Sequence, residues 1–128
     1  ISKKYSDHRD IEEEMAKGDH QSILANDMYV DRIAAYIAKY YVKLNGEVDA
    51  LVFTAGLGEN AIDFRKDILK KLECIGIIVD EEENDKIARF RSIQEGKISS
   101  VDSKVPIYVV PTNEELMIAL DTYNIINN

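Results

Sequence analysis

One short segment, Asp49 to Asn60, constrains the fold of this chain more than any other. The apolar run Ala50–Thr54 contains β-branched and aromatic residues, as a buried strand requires. Gly56 and Gly58 follow it, and their lack of a Cβ atom lets a ligand approach the backbone. Asn60 can cap a helix after it, whose free N–H groups and positive dipole end favour an anion. The segment therefore predicts a strand, a glycine turn and a helix suited to phosphate or nucleotide binding, although many such connections carry two glycines for tightness alone.

The remaining sequence predicts helices and strands in alternation, which indicates an α/β fold. The predicted helices are Asp10–Lys17, Gln21–Asn45, Ala61–Cys74 and a last one opened by Thr112, with Glu115 completing a capping box. The predicted strands are Ala50–Thr54, Pro106–Pro111 and the shorter Gly76–Val79, with Ile98–Ser103 as a loop or edge strand. The other segments are predicted as a solvated acidic turn at Asp80–Asn84, an irregular stretch with at most a helical turn at Asp85–Gln94, and a frayed tail at Asn124–Asn128. Strands that alternate with helices pair in parallel with helices on the sheet faces, and ligands bind beyond their carboxyl ends.

Apolar residues at spacings of three and four mark the face of each helix that we expect to be buried. In the long helix these are Ile23, Met28, Val30, Ile33, Ala34, Ile37, Tyr40, Tyr41 and Leu44. In the next helix they are Ile62, Ile68, Leu69 and Leu72, and in the last they are Leu116, Ile118, Ala119, Leu120 and Tyr123. The tyrosines of the long helix, Tyr29, Tyr36, Tyr40 and Tyr41, are interpreted as packing and interface groups rather than as a platform for stacked bases.

Charge and cysteine content exclude several classes of partner. The formal net charge of −8 argues against binding to nucleic acid or to an anionic membrane, because a polyanion needs a basic face. Cys74 is the only cysteine, so no disulfide forms within the chain, which fits a reducing cytoplasm. No apolar run approaches the length of a membrane span. The chain begins with Ile1 rather than methionine, and we expect it to be a piece of a longer protein.

Two further segments carry residues that can contact a nucleotide or its metal. In Ser6-Asp7-His8-Arg9-Asp10, Arg9 can bind phosphate and the His8 ring can stack on a purine; alternatively, Asp7 caps a helix and Arg9 forms a surface ion pair. In Pro111-Thr-Asn-Glu-Glu115, either glutamate can hold Mg²⁺ or simply complement a helix dipole. The acidic run at residues 80–84 is a weaker metal candidate, because neighbouring carboxylates on an exposed turn do not converge on one ion.

Taken together, these segments resemble the acetate kinase family. The motifs that carry the resemblance are Ser-Asp-His-Arg-Asp-Ile, Val-Phe-Thr-Ala-Gly-Leu-Gly-Glu-Asn and Val-Pro-Thr-Asn-Glu-Glu-Leu-Met-Ile-Ala, in the family's order and at similar separations. The resemblance covers nearly the whole chain. It implies that residues 1–128 are the C-terminal part of a ribonuclease H-like nucleotide-binding domain of the actin, Hsp70 and sugar kinase superfamily. Such a domain has a mainly parallel sheet with flanking helices, here without its first strands.

The resemblance also implies roles for individual residues in the reaction of ATP with acetate to give ADP and acetyl phosphate. The implied nucleotide-binding residues are Asp7, His8, Arg9, Gly56, Leu57, Gly58, Glu59 and Asn60. Glu114 matches the carboxylate associated with Mg²⁺ or Mn²⁺. The family tends to carry an apolar residue in place of His8 and isoleucine in place of Leu57, so the contacts at those two positions are expected to differ.

The family's catalytic groups and acetate pocket lie in a part that this chain lacks, so we expect the chain alone to be inactive. We also expect it to self-associate, because missing strands leave a sheet edge unpaired and the family forms homodimers. A propionate or butyrate kinase, and a nucleotide-binding module without catalysis, remain alternatives. A dinucleotide-binding domain is a weaker one, because no third glycine follows Gly58 at the required spacing.

Overall fold

Helices pack against one face of a small sheet in the computed structural model, which describes residues 5, 7–88 and 93–127. The helices are α1 (His8–Ala16), α2 (His20–Lys43), α3 (Ala55–Asn60), α4 (Ile62–Leu72), α5 (Glu81–Lys86) and α6 (Glu114–Asn127). The strands are β1 (Leu51–Phe53), β2 (Gly96–Lys97) and β3 (Ile107–Val109), and a 3₁₀ turn at Glu73–Ile75 follows α4. Among the described residues, no helix is long and apolar enough to cross a membrane.

The sheet is mixed, with the strand order β1-β3-β2. β1 and β3 pair in parallel with Phe53 opposite Val109, which confirms the predicted parallel pairing of these two strands. β2 is antiparallel to β3, so the expectation of parallel strands holds for only part of the sheet. The predicted strand at 76–79 is reduced to a single bridge between Val79 and Ser99. The carboxyl ends of β1 and β3 lie side by side, and this places the segments that follow them next to each other.

The core lies between the inner face of the sheet and helices α2 and α4. Its largest fully buried aliphatic members are Ile68, Leu69, Leu72, Ile77, Ile98 and Ile107. On α2 the buried positions are Ser22, Asn26, Val30 and Ala34, four residues apart. Met28, Tyr40 and Leu44, predicted to be buried, are about half exposed, because the helix face turned toward α4 is narrower than the apolar stripe in the sequence.

Three other predictions are wrong. Residues 81–86 form α5 rather than an acidic turn, since the Asp80 carboxylate caps the helix by accepting from the Glu83 amide at 3.1 Å. α6 runs through Asn127 rather than fraying from Asn124. The apolar side chains predicted for the inner face of α6 are exposed, and α6 has no buried residue among those described. The prediction for 85–94 falls partly on 89–92, which lie outside the described residues.

Candidate functional site

Two of the three predicted segments meet at one cavity. This cavity, of about 1010 Å³, lies between the start of α1 and the helix α3. Its lining residues are Asp7, His8, Arg9, Ile11, Glu12, Tyr29, Gly56, Leu57, Asn60 and Ala61. Six of the nine residues implied by the family resemblance therefore line a single space. Of the other three, Gly58 packs against the backbone of β1, and Glu59 and Glu114 line a second cavity.

Asp7 and Arg9 form the rim of this cavity and bind each other. The Asp7 carboxylate caps α1 by accepting from the Arg9 amide at 2.9 Å, and it accepts from Arg9 Nη2 at 2.7 Å. The hydrogen bonds from Arg9 lower the pKa of Asp7 to about 2. The cap and surface ion pair considered from the sequence are thus present. The Arg9 side chain remains 83% exposed, beside the cavity.

His8 forms part of the cavity wall and is held by its neighbours. Its side chain is only 10% exposed, and its Nε2 lies 3.2 Å from Asn26 Oδ1. The ring meets Phe64 edge to face at 4.8 Å between centroids, and Nδ1 lies 3.3 Å from the Glu12 carboxylate. A purine can therefore contact only a small part of this ring, which is less than the stacking predicted from the sequence.

The glycine segment is a short helix rather than a turn, which corrects two predictions. Gly56 and Gly58 lie inside α3, and Asn60 is its last residue. Asn60 Nδ2 donates to Gly56 O at 2.8 Å, within α3, and does not cap the next helix. The cap position of α4 is Ala61, which offers no side-chain bond. Asn60 therefore stabilises the cavity wall rather than the helix start at which an anion was expected.

The two glycines of α3 serve different purposes. A Cβ atom added to Gly56 would meet nothing within 4 Å, so this position leaves open space beside the cavity. A Cβ atom added to Gly58 would lie 3.1 Å from the backbone carbon of Phe53, so Gly58 allows α3 to press against β1. Ala55, between β1 and these glycines, adopts a φ of 59°, which is strained for a residue with a side chain.

Arg65, on α4, holds α3 in place from behind and was not identified from the sequence. Its side chain is fully buried. It donates five hydrogen bonds, at 2.8 to 3.2 Å, to Gly58 O, Glu59 O, Asn84 O, Asn84 Oδ1 and Ile87 O. Burial lowers its pKa to about 10, so it stays charged at neutral pH. The signal that would have found it is its position in the apolar stripe of α4, three residues before Ile68.

Glu59 joins α3 to the segment after β3. Its side chain is buried, and its carboxylate accepts from both the backbone N and the Oγ1 of Thr112 at 2.8 Å. Thr112 therefore does not cap α6 as predicted. Asn113 takes that place, with its Oδ1 accepting from the Leu116 amide at 3.1 Å.

A second cavity, of about 460 Å³, lies beside this contact. Its lining residues are Ala55, Gly56, Glu59, Asn60, Gln94, Pro111, Thr112, Asn113, Glu114 and Glu115. Glu114 is exposed in the first turn of α6. Gly56 and Asn60 line both cavities. The third predicted segment, residues 111–115, therefore lies next to the other two segments but lines only the smaller cavity of the two.

The acidic run at residues 80–84 lies away from both cavities and has structural partners. Asp80 caps α5, Glu83 pairs with Lys86 at 2.6 Å, and Glu81 pairs with Lys66. Within the described residues, no group of three or more His, Cys, Asp or Glu side chains could hold a metal ion by itself.

Comparisons with known proteins agree on one family. A family model described as the acetokinase family matches residues 1–120. The acetate kinase of Carboxydothermus hydrogenoformans is 49% identical over 124 residues, which are 97% of this chain and 30% of that protein. A crystal structure of Porphyromonas gingivalis acetate kinase matches with a TM-score of 0.79 at 40% identity, over 94% of this chain and 29% of that one. A propionate kinase from Francisella tularensis matches with a TM-score of 0.75, also at 40% identity, over 88% of this chain and 27% of that one. The chain thus spans about 30% of the length of the relatives it matches.

Proposed function

Because the chain belongs to the acetokinase family, we propose that it forms the nucleotide-binding wall of an ATP-dependent acetate kinase. That enzyme transfers a phosphoryl group between ATP and acetate, giving ADP and acetyl phosphate. One observation carries the proposal: the start of α1 and the helix α3, distant in sequence, line one cavity of about 1010 Å³. Most of the surface that lines this cavity is apolar, as a site for a nucleoside requires.

We propose that the nucleotide lies along α3. Gly56, Leu57 and Asn60 contact it directly, since all three line the cavity, and Arg9 supplies positive charge at the rim. Asp7 orients Arg9, and His8 presents the small exposed part of its ring. Gly58 and Glu59 hold α3 against its neighbours.

We propose that Glu114 takes part in binding Mg²⁺ or Mn²⁺. Mg²⁺ in kinases uses one or two carboxylates together with phosphate oxygens and water. The second cavity fits this preference, because its lining combines the carboxylates of Glu114 and Glu115 with other oxygen donors. When bound, the metal neutralises charge on the phosphoryl oxygens.

Catalysis itself is proposed to lie outside this chain. Phosphoryl transfer needs charge stabilisation from both sides of the transferred group, and α3 with its surroundings forms one wall. We assign no catalytic residue here.

The chain's negative charge and single exposed cysteine favour a cytoplasmic protein without nucleic acid or membrane partners. The exposed tyrosines Tyr36 and Tyr40 of α2 are candidates for a homodimer contact.

Propionate is the second candidate acceptor. The propionate kinase from Francisella tularensis is as similar to this chain as the Porphyromonas gingivalis acetate kinase, at 40% identity each. Comparing kcat/KM for acetate, propionate and butyrate in the longer protein distinguishes the three.

The site assignment is tested by calorimetric titration of the longer protein with MgATP. Arg9→Ala and Asn60→Ala are expected to weaken binding at least about tenfold, as loss of one charge-assisted or positioning contact does. Asn127→Ala is the matched control, because Asn127 donates to Tyr123 O at 2.8 Å with the same four-residue spacing, far from α3 in sequence. Unchanged affinity in both Arg9→Ala and Asn60→Ala would show that the site lies elsewhere.

A further inference from the structure

The contact between Glu59 and Thr112 joins two parts of the site that are 53 residues apart in sequence. The Glu59 side chain is 7% exposed, and both hydrogen bonds from Thr112 to its carboxylate measure 2.8 Å. Hydrogen bonds to a carboxylate are about twice as strong as neutral ones, and in this pair the Glu59 carboxylate is buried while Thr112 is exposed. α3 and the segment after β3 are therefore held together at one point by a strong pair.

The position of Glu114 depends on that point. Glu114 follows Thr112 by two residues, and Asn113 between them caps α6 through the Leu116 amide. Among the described residues, α6 buries no side chain, so packing within this chain contributes little to placing its first turn, whatever contacts the longer protein adds on α6. Within this chain, the first turn of α6 is placed by hydrogen bonds of the segment just before it. These are the bonds from Thr112 to Glu59 and the bond from the Val110 amide to Phe53 O at 2.9 Å.

The position of Glu59 depends in turn on α3. Arg65 donates to Gly58 O and Glu59 O, so the end of α3 is fixed from behind while the Glu59 side chain holds Thr112 in front. Gly56 and Asn60, in the same helix, line both cavities. A ligand that orders or shifts α3 will therefore act on Thr112 as well.

We propose that the Glu59–Thr112 pair couples nucleotide binding along α3 to divalent-cation binding at Glu114. This inference rests on the proposed function. It makes Glu59 a positioning residue whose carboxylate acts through Thr112, rather than a direct nucleotide contact. By linkage, each ligand then raises the affinity for the other by the same factor, and breaking the pair reduces that factor.

The test measures the dissociation constant of ADP in the longer protein by calorimetry, once with Mg²⁺ and once with EDTA. The ratio of the two constants includes the direct contact of Mg²⁺ with the phosphate oxygens, so the coupling through the pair is read from the change of this ratio between the original protein and its variants. Thr112→Val removes the hydroxyl bond and is expected to lower this ratio about fivefold, with ADP affinity in EDTA changed less than about twofold. Thr112→Ser keeps both donors and is the matched control, with a ratio close to that of the original protein. Glu59→Gln keeps an acceptor oxygen without the charge, and we expect an intermediate ratio.

Several results would overturn the coupling. If Thr112→Val and Glu59→Gln lower the melting temperature but keep the ratio, the pair has only a structural role. If Glu59→Gln weakens ADP binding equally with Mg²⁺ and with EDTA, Glu59 contacts the nucleotide directly. Leu72→Ala, a buried change on α4, controls for loss of stability alone and is expected to leave the ratio unchanged. If the longer protein binds ADP and forms acetyl phosphate, and its Thr112→Val and Glu59→Gln variants keep the ratio, only the coupling is refuted. If the longer protein neither binds ADP nor forms acetyl phosphate, the proposed function is refuted as well.

Discussion

A single buried guanidinium ties together the ends of two short helices. The last carbonyl groups of a helix have no partner within it, and they need a donor when they are buried. Arg65 supplies that donor to Gly58 and Glu59 at the end of α3 and to Asn84 and Ile87 at the end of α5. No other side-chain type offers five N–H groups in one plane. Arg65 is therefore central to the shape of the candidate site without contacting either cavity.

Arg65→Met is expected to lower the free energy of unfolding by about 3–5 kcal/mol, because it leaves several buried carbonyl groups without donors. Urea denaturation measures the change. Lys66→Met is the neighbouring control: Lys66 is partly exposed and pairs with Glu81, so its loss should cost less than about 1 kcal/mol. Equal losses for the two variants would contradict the role given to Arg65.

Asp7 predicts a local pH dependence at the start of α1. Hydrogen bonds from Arg9 lower the pKa of this carboxyl to about 2 in the folded state. A depressed folded-state pKa means that the cap contributes fully above the ordinary carboxyl pKa and is lost as the pH falls through about 2. We expect the NMR shift of the Arg9 amide to titrate with that low midpoint. In Asp7→Asn, which keeps a capping oxygen, this titration should vanish; a midpoint at the ordinary carboxyl value would argue against the pairing.

At the scale of elements, α3 begins with a strained residue. Ala55 has a φ of 59°, which costs an L-residue about 1–2 kcal/mol relative to glycine. Ala55→Gly should therefore raise the free energy of unfolding by about 1 kcal/mol, as measured by urea denaturation. Ala35→Gly, the same change at an exposed position inside α2, should lower it by a similar amount. A loss of stability in Ala55→Gly would show that this strain is not relieved by glycine.

α6 shows an apolar surface to solvent along its whole length. Ile118 is 67% exposed and Ile125 is 80% exposed. Changing both to lysine should reduce self-association of the 128-residue chain without lowering its free energy of unfolding, because neither side chain is buried. Light scattering and urea denaturation measure the two quantities. Asn124→Lys with Asn127→Lys adds the same charge without removing apolar surface, and an equal effect there would assign the change to charge alone.

The sequence predicted most elements because their signals are local. Periodic apolar residues located α2 and α4, and the β-branched runs located β1 and β3. The sequence-based prediction failed where a residue distant along the chain determines the local hydrogen bonds. The Thr112 hydroxyl donates to the Glu59 carboxylate, and Asn113 caps α6 instead of Thr112. The spacing of residues in the sequence cannot show this. Nor can spacing show that Asn60 bonds back to Gly56 instead of capping α4. The sequence identified six of the residues that line the cavity. It could not show that they line one cavity, because that requires α1 and α3 to meet.

At the scale of the whole molecule, one face of the sheet is open. The register partners Val52 and Tyr108 are 48% and 36% exposed, while their neighbours along β3 are buried. Parallel strands are normally covered on both faces. Since the chain spans about 30% of its relatives' length, we expect the rest of the longer protein to cover this face together with α6.

The 128-residue chain alone is therefore expected to form no acetyl phosphate from ATP and acetate, whereas the longer protein should form it. Both samples are compared at equal concentration in the same coupled assay. Activity in the chain alone would contradict the placement of the catalytic groups in the missing part.

The two glycines of α3 are expected to differ in how well they tolerate substitution. A Cβ atom at Gly58 would lie 3.1 Å from the backbone of Phe53, so a replacement there requires α3 or β1 to shift by a few tenths of an ångström and should be disfavoured. Gly56 opens onto empty space, so small replacements there should survive and narrow the cavity instead. The segment Thr54–Asn60 thus contains one position at which a side chain must displace the neighbouring backbone and, two residues away, one at which a small side chain can adjust the size of an acceptable ligand.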